Sequence, residues 1–159
     1  KQPVSSENIE KAEENVKTFL DVFLKQLGND TKYEIKKDEY GLEVAIDGQD
    51  ATILIGYRGE TLDSLQYLVS LVVNKNHSNP YKRVVLDAEN YRKKREETLI
   101  RVAQKTAAKV RKSGRPYRLE PMNPYERRII HSALQEYTDI NTYSEGEEPF
   151  RKIVISLKK

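Results

Sequence analysis

Apolar positions in the first half of the chain follow two periods in turn. From Ser5-Ser6-Glu7 onward, Ile9, Val16, Phe19, Leu20, Phe23, Leu24 and Leu27 recur at helical spacing, and Gly28-Asn29-Asp30 predicts the stop. Tyr33 to Lys36 and Leu42 to Ile46 then alternate with period two around Asp38-Glu39-Tyr40-Gly41, the pattern of a hairpin. Ala51 to Ile55 allows one or two helical turns ending at Gly56. After Gly59 a longer helix is expected, with Leu62, Leu65, Leu68, Val69 and Val72 facing inward, until His77-Ser78-Asn79-Pro80 breaks it. A strand from Lys82 to Asp87 completes the order helix, strand, strand, helix, helix, strand.

The second half reads differently. From Asp87, a suitable N-cap, a long helix is expected to about Ser113, where Gly114 and Pro116 end it. Leu99, Val102, Ala103, Ala107 and Val110 form its apolar stripe, and Lys94, Arg101, Lys105, Lys109 and Lys112 form a separate basic one. Asn123-Pro124-Tyr125-Glu126 opens a further helix: Asn suits the N-cap, Pro the first helical position, and Glu the third position of a capping box. That helix carries Ile129, Ile130, Ala133, Leu134 and Tyr137. Two strands, Asn141 to Ser144 and Arg151 to Leu157, flank the acidic turn Glu145-Gly146-Glu147-Glu148-Pro149. The fold class is therefore α+β, two small modules joined by a long helix.

Composition narrows the function. With 159 residues, 37% hydrophobic and 33% charged, the chain holds one ordinary domain or two small ones. The absence of cysteine rules out disulfides, thiolate metal sites and a cysteine nucleophile, and suits a reducing, cytoplasmic setting. The longest apolar run, Leu68 to Val73, already contains Ser70 and falls far short of the roughly 20 residues that cross a bilayer, so no membrane insertion is expected. No signal peptide pattern precedes the first helix. A start at Lys1 leads us to expect a fragment that lacks an upstream region. Charge is divided unevenly: residues 1–80 carry 9 Lys/Arg and 14 Asp/Glu, net −5, whereas residues 81–159 carry 19 and 11, net +8. Such asymmetry suits a polyanionic partner for the second half, nucleic acid or an anionic membrane surface.

Gly56-Tyr57-Arg58-Gly59 is the first chemical candidate. It is neither a Walker loop nor a dinucleotide fingerprint. Two glycines joining two helices permit a sharp reversal and let a sugar-phosphate backbone lie against main-chain atoms. The following helix offers unpaired N–H groups and a positive dipole end, and Arg58 adds a cation. Ile53 and Ile55 could seat unstacked bases. A plain helical connection with Gly56 as C-cap is the alternative, although a cap accounts for one glycine and leaves the second unexplained. Glu60, directly after the loop, opposes an anion.

In "NPYERRIIHSAL", Arg127 and His131 stand four residues apart, hence on one helical face beside Ile130 and Leu134. Both can donate hydrogen bonds to phosphate, with Arg128 in support. Spacing alone favours a His131 that merely packs beside Leu134 and bonds to a neighbour. The basic stripe is either a solvated helix face or a track for phosphates between two weak sites on one chain, which would gain by effective concentration.

In their order of elements, residues 7–88 resemble a KH domain of the αββααβ (type II) arrangement, whose Gly-x-x-Gly loop clamps about four nucleotides of a single strand. The family's loop falls on Gly56, Tyr57, Arg58 and Gly59. Residues 97–159, with the Asn-Pro cap, the Arg–His pair, the "SEG" turn and the last strand, resemble the R-3-H domain, a single-strand-binding family whose namesake positions are Arg127 and His131. The expected layout is a KH domain over 1–88, a basic connecting helix over 89–114 and an R-3-H domain over 97–159 that includes the end of that helix. The pair in this order resembles the bacterial Jag (SpoIIIJ-associated) family. That resemblance implies a cytoplasmic single-stranded RNA binder, DNA being possible, with a regulatory role in cell elongation, division or sporulation. It also implies a second small KH protein as partner. No cofactor or metal is implied, and no catalysis is expected: only two histidines are present, His77 and His131, and His77 sits in a Pro/Asn-rich break beside no obvious nucleophile. The rival reading is a protein-interaction adaptor linked to membrane-protein insertion or division.

Overall fold

A computed structural model describes residues 3–27, 31–75 and 80–158. The expected stop at Gly28-Asn29-Asp30 and the His77-Ser78-Asn79 part of the second break lie outside the described residues. The chain divides into two compact units, residues 1–92 and 93–159.

In the first unit, α1 (Ser6–Leu27), β1 (Lys32–Asp38), β2 (Gly41–Asp47), α2 (Ala51–Ile55), a single 3₁₀ turn (Tyr57–Gly59), α3 (Glu60–Asn74) and β3 (Arg83–Ala88) follow in order. The sheet runs β1-β2-β3. The hairpin pairs β1 and β2 antiparallel, with Lys32 opposite Asp47. Asp38 closes its turn by accepting the amides of Tyr40 and Gly41 at 2.7 and 2.9 Å. β2 and β3 are parallel, which requires a crossover, and α2 and α3 supply it. Period two sends Leu42, Val44 and Ile46 of β2 inward, against Val16 and Leu20 of α1 and Leu62, Leu65 and Val69 of α3. Leu68 departs from expectation: it is 46% exposed, and Val73 joins the buried stripe in place of Val72. A 3.6-residue apolar pattern is wider than the strip of helix that a small sheet covers, and Leu68 falls outside that strip.

The second unit packs α4 (Tyr91–Ser113) and α5 (Pro124–Leu134) on a sheet of β4 (Tyr117–Arg118), β5 (Ile140–Glu145) and β6 (Lys152–Leu157), in the order β4-β6-β5. Both pairings are antiparallel. Leu99, Ala103, Ala107 and Val110 of α4 enter one core with Ile130, Leu134, Ile153 and Ile155. The expected connecting helix is thus, from Lys93 on, part of the second unit. Thr106 is buried and Val102 is 37% exposed, the reverse of the expected stripe.

Asp87 is not the N-cap. It lies in β3 opposite Ala45, and α4 starts four residues later. Glu89 and Asn90, both left-handed at φ 52° and 54°, turn the chain between them. The Asp87 carboxylate still accepts the Arg92 amide at 3.2 Å, so it caps from within the strand. On α5 the Asn123 side chain accepts the Glu126 amide at 2.9 Å, as expected of an N-cap. The capping box stays half-formed, because the buried Glu126 carboxylate turns to Arg95 Nε at 2.7 Å. Tyr137 lies past the end of α5 and packs on the core from the following turn.

Candidate nucleic-acid interface

The two glycines answer to two different constraints. At Gly56 the backbone is left-handed (φ 68°), and a Cβ there would stand 2.0 Å from Thr61 Oγ1. At Gly59 (φ 84°), a Cβ would stand 2.6 Å from Cε1 of the Tyr91 ring. Between them Arg58 is itself left-handed at φ 53°, a costly conformation for a residue with a Cβ. Backbone strain held at an exposed bend is the kind that clusters at ligand clamps.

The bend is open on one side and roofed on the other. Gly56 is exposed and Tyr57 is 68% exposed, whereas Gly59 is buried. The Arg58 guanidinium lies over the Tyr57 ring, 4.8 Å from its centroid. Ile53 is 60% exposed beside them, while Ile55 leans on the core. α3 starts immediately after, at Glu60, so its first amides and positive dipole end sit at the bend. Of the two acids in its first turn, Asp63 is engaged by Arg92 at 2.8 Å. A cation, an exposed aromatic ring, an apolar shoulder and a helix start together offer a phosphate and an unstacked base adjoining places.

The Arg–His pair turns out otherwise. Arg127 and His131 do share a face of α5, but that face is turned into the unit. Arg127 is buried, its guanidinium donating to the Met122 carbonyl at 2.6 Å and to the Glu148 carboxylate. His131 is half-buried, with Nδ1 2.8 Å from Thr142 Oγ1 and Nε2 3.4 Å from Ser144 Oγ. Burial first, and the Arg127 charge second, hold its pKa below the usual 6.5. Donors expected to face phosphate are therefore spent on protein groups, because β5 and the acidic turn bring acceptors to them. Arg128, expected as a support, is the cation of that segment that faces out.

Lys94, Arg101, Lys105, Lys109 and Lys112 are all exposed along α4, on the side away from its buried stripe. Lys109 sits over the Tyr117 ring at 4.2 Å, and Arg101 donates to Thr98 Oγ1 at 3.0 Å. Sequence reasoning passes over Tyr91, which roofs the loop, and Glu148, which holds Arg127. It also passes over Tyr117 and Tyr125, exposed aromatics next to cations. A tyrosine close in sequence to an Arg, as in Tyr117-Arg118 and Tyr125 with Arg128, is the available signal.

Comparison with known proteins follows the same division. Residues 13–86 match the KhpA/KhpB KH domain family, and residues 97–157 match the R-3-H domain family. An RNA-binding protein KhpB of Clostridium symbiosum is 57% identical over 130 residues, 82% of this chain and 58% of that protein. The RNA-binding protein KhpB of Bacillus subtilis is 37% identical over 163 residues, 100% of this chain and 78% of the relative. That of Lactiplantibacillus plantarum is 34% identical across 89% of this chain and 44% of its own length. The chain thus spans between about half and three quarters of the length of these relatives. With both modules matched in order and whole-chain identity of 37% to one relative, the chain belongs to the KhpB (Jag) family, its KH module preceding its R-3-H module.

Proposed function

We infer that the chain binds single-stranded nucleic acid, RNA before DNA, through the Gly56–Gly59 bend, and that it acts by binding without catalysis. The observation that carries this is the open side of the bend: exposed Gly56 and Tyr57, with Arg58 between the glycines, at the start of a 15-residue helix. Phosphate rests on the α3 amides and Arg58, and a base on Tyr57 and Ile53. The names of the relatives, RNA-binding proteins, support RNA over DNA. The basic face of α4, from Lys94 to Lys112, gives a second, salt-sensitive hold on the same strand. Arg127 and His131 serve the R-3-H module from inside, fixing α5 against β5 and the acidic turn. A cytoplasmic regulator of elongation, division or sporulation is the matching cellular role.

A protein partner is a compatible second reading. Tyr67, Leu68 and Leu71 are 64%, 46% and 49% exposed on the outer side of α3, an apolar patch suited to a second small KH protein or to an adaptor role. Replacing Tyr57 and Arg58 together with Asp separates the readings. Crosslinking of the chain to RNA in cells is expected to fall to background, with the thermal melt unchanged. Crosslinking at the unsubstituted level would favour the adaptor.

A further inference from the structure

The R-3-H unit carries 16 Lys/Arg against 9 Asp/Glu, yet its namesake cation is sealed inside. Its outward chemistry lies one residue further on. Tyr125 and Arg128, three apart on α5, stand on the same outer face, Tyr125 65% exposed and Arg128 exposed. Beside them runs a groove of about 430 Å³ between α4 and α5, within the size range of small-molecule sites. Ile100 and Ile129 give it an apolar floor, and Ser132 and Glu96 give it a polar rim. Among the described residues the Arg128 guanidinium makes no ion pair or hydrogen bond, unlike Arg127, which makes two.

We propose that this groove seats one unstacked base of the bound single strand. The base stacks on Tyr125 above Ile100 and Ile129, and Arg128 takes the adjoining phosphate. A planar aromatic ring beside a guanidinium and an apolar floor fits a nucleobase attached to an anion, and the net positive charge of the unit suits the strand on either side. Glu96 adds selectivity. Its carboxylate only accepts, so it favours an edge that presents an amino group, as in cytosine, and opposes the O4 of uracil. The inference rests on the strand-binding reading above and gives the R-3-H unit its own contact.

The test is fluorescence anisotropy of the 159-residue chain with labelled oligocytidine and oligouridine of equal length, each in RNA and DNA form. Tyr125→Ala with Arg128→Glu is expected to weaken oligocytidine binding about tenfold, the scale of a lost stacked base. Tyr125→Phe keeps the ring and is expected to bind as the unsubstituted chain does. Glu96→Gln is expected to erase the preference for cytidine over uridine. Unchanged affinity for Tyr125→Ala with Arg128→Glu overturns the groove. If Tyr57→Asp with Arg58→Asp abolishes binding at the same time, the loop reading stands without it. If the unsubstituted chain takes up no strand of either kind, both readings fall together.

Discussion

The two units hold charge in opposite ways. Residues 1–92 are net negative, with 12 Lys/Arg and 16 Asp/Glu, yet they place an exposed aromatic, Tyr57, under the guanidinium of a half-buried Arg58. Residues 93–159 are strongly positive, yet they bury Arg127 and half-bury His131. Net charge sets the long-range field that brings a polyanion near. Which residues touch it is decided by local geometry. At the bend, a left-handed Arg58 lies between two glycines, and Gly56 and Tyr57 before it are open to solvent. On α5, β5 and the acidic turn fold over the face that spacing alone offered to a ligand.

Substitutions sharpen the contrast. Gly59→Ala has the largest expected effect on stability, because the new Cβ would combine a left-handed φ with a clash against the Tyr91 ring. About 3 kcal/mol is expected, read as lost hydrogen-exchange protection of the first unit's core amides. Protection at the level of the unsubstituted chain would mean that Tyr91 does not roof the loop.

Arg127→Ala comes next, at about 2 kcal/mol in the second unit, since it removes two charge-assisted bonds from a buried guanidinium. Glu148→Gln is smaller, about 1 kcal/mol, because the Glu148 side chain is 52% exposed and solvent screens much of what it loses. Arg58→Ala, at the exposed bend, is expected to cost under about 0.5 kcal/mol while weakening RNA binding. Equal stability losses at the two arginines would erase the difference between the units.

The smallest effect is a slope with pH. The folded pKa of His131 lies below 6.5, so the unfolded chain binds the proton more readily. Above pH 6.5 the ring is neutral in both states and costs nothing. As pH falls from about 6.5 towards the folded value, stability of the second unit is expected to decline. His131→Gln should flatten that part of the curve in denaturant titrations at several pH values. An unchanged slope would assign it to other groups.

Much of this architecture is legible in the chain, and the departures share a cause. Period two in Leu42 to Ile46 and the apolar stripe of α1 need no tertiary information, since one face of each has a core to meet. β4 escapes sequence reading because two residues cannot display a period. Leu68 and Val102 fit an inward stripe by spacing yet lie out, because the width of a helical stripe depends on how far the opposing sheet extends. Long-range partners decide the rest. Glu126 has the right spacing for a capping box, but Arg95, 31 residues earlier, takes its carboxylate. Arg127 has the right spacing for a phosphate contact, but Glu148, 21 residues later, reaches it first. At the loop, two glycines three apart announce a tight bend; that Tyr91 covers the second one is not written locally.

The central claim is that the Gly56–Gly59 bend is where a strand comes to rest. Hydrogen exchange of the intact chain, with and without a saturating single-stranded RNA, tests it most directly. Slowed exchange is expected at the amides from Tyr57 to Thr61, with α1 unaffected. RNA that binds while those amides exchange at their unliganded rate would contradict it.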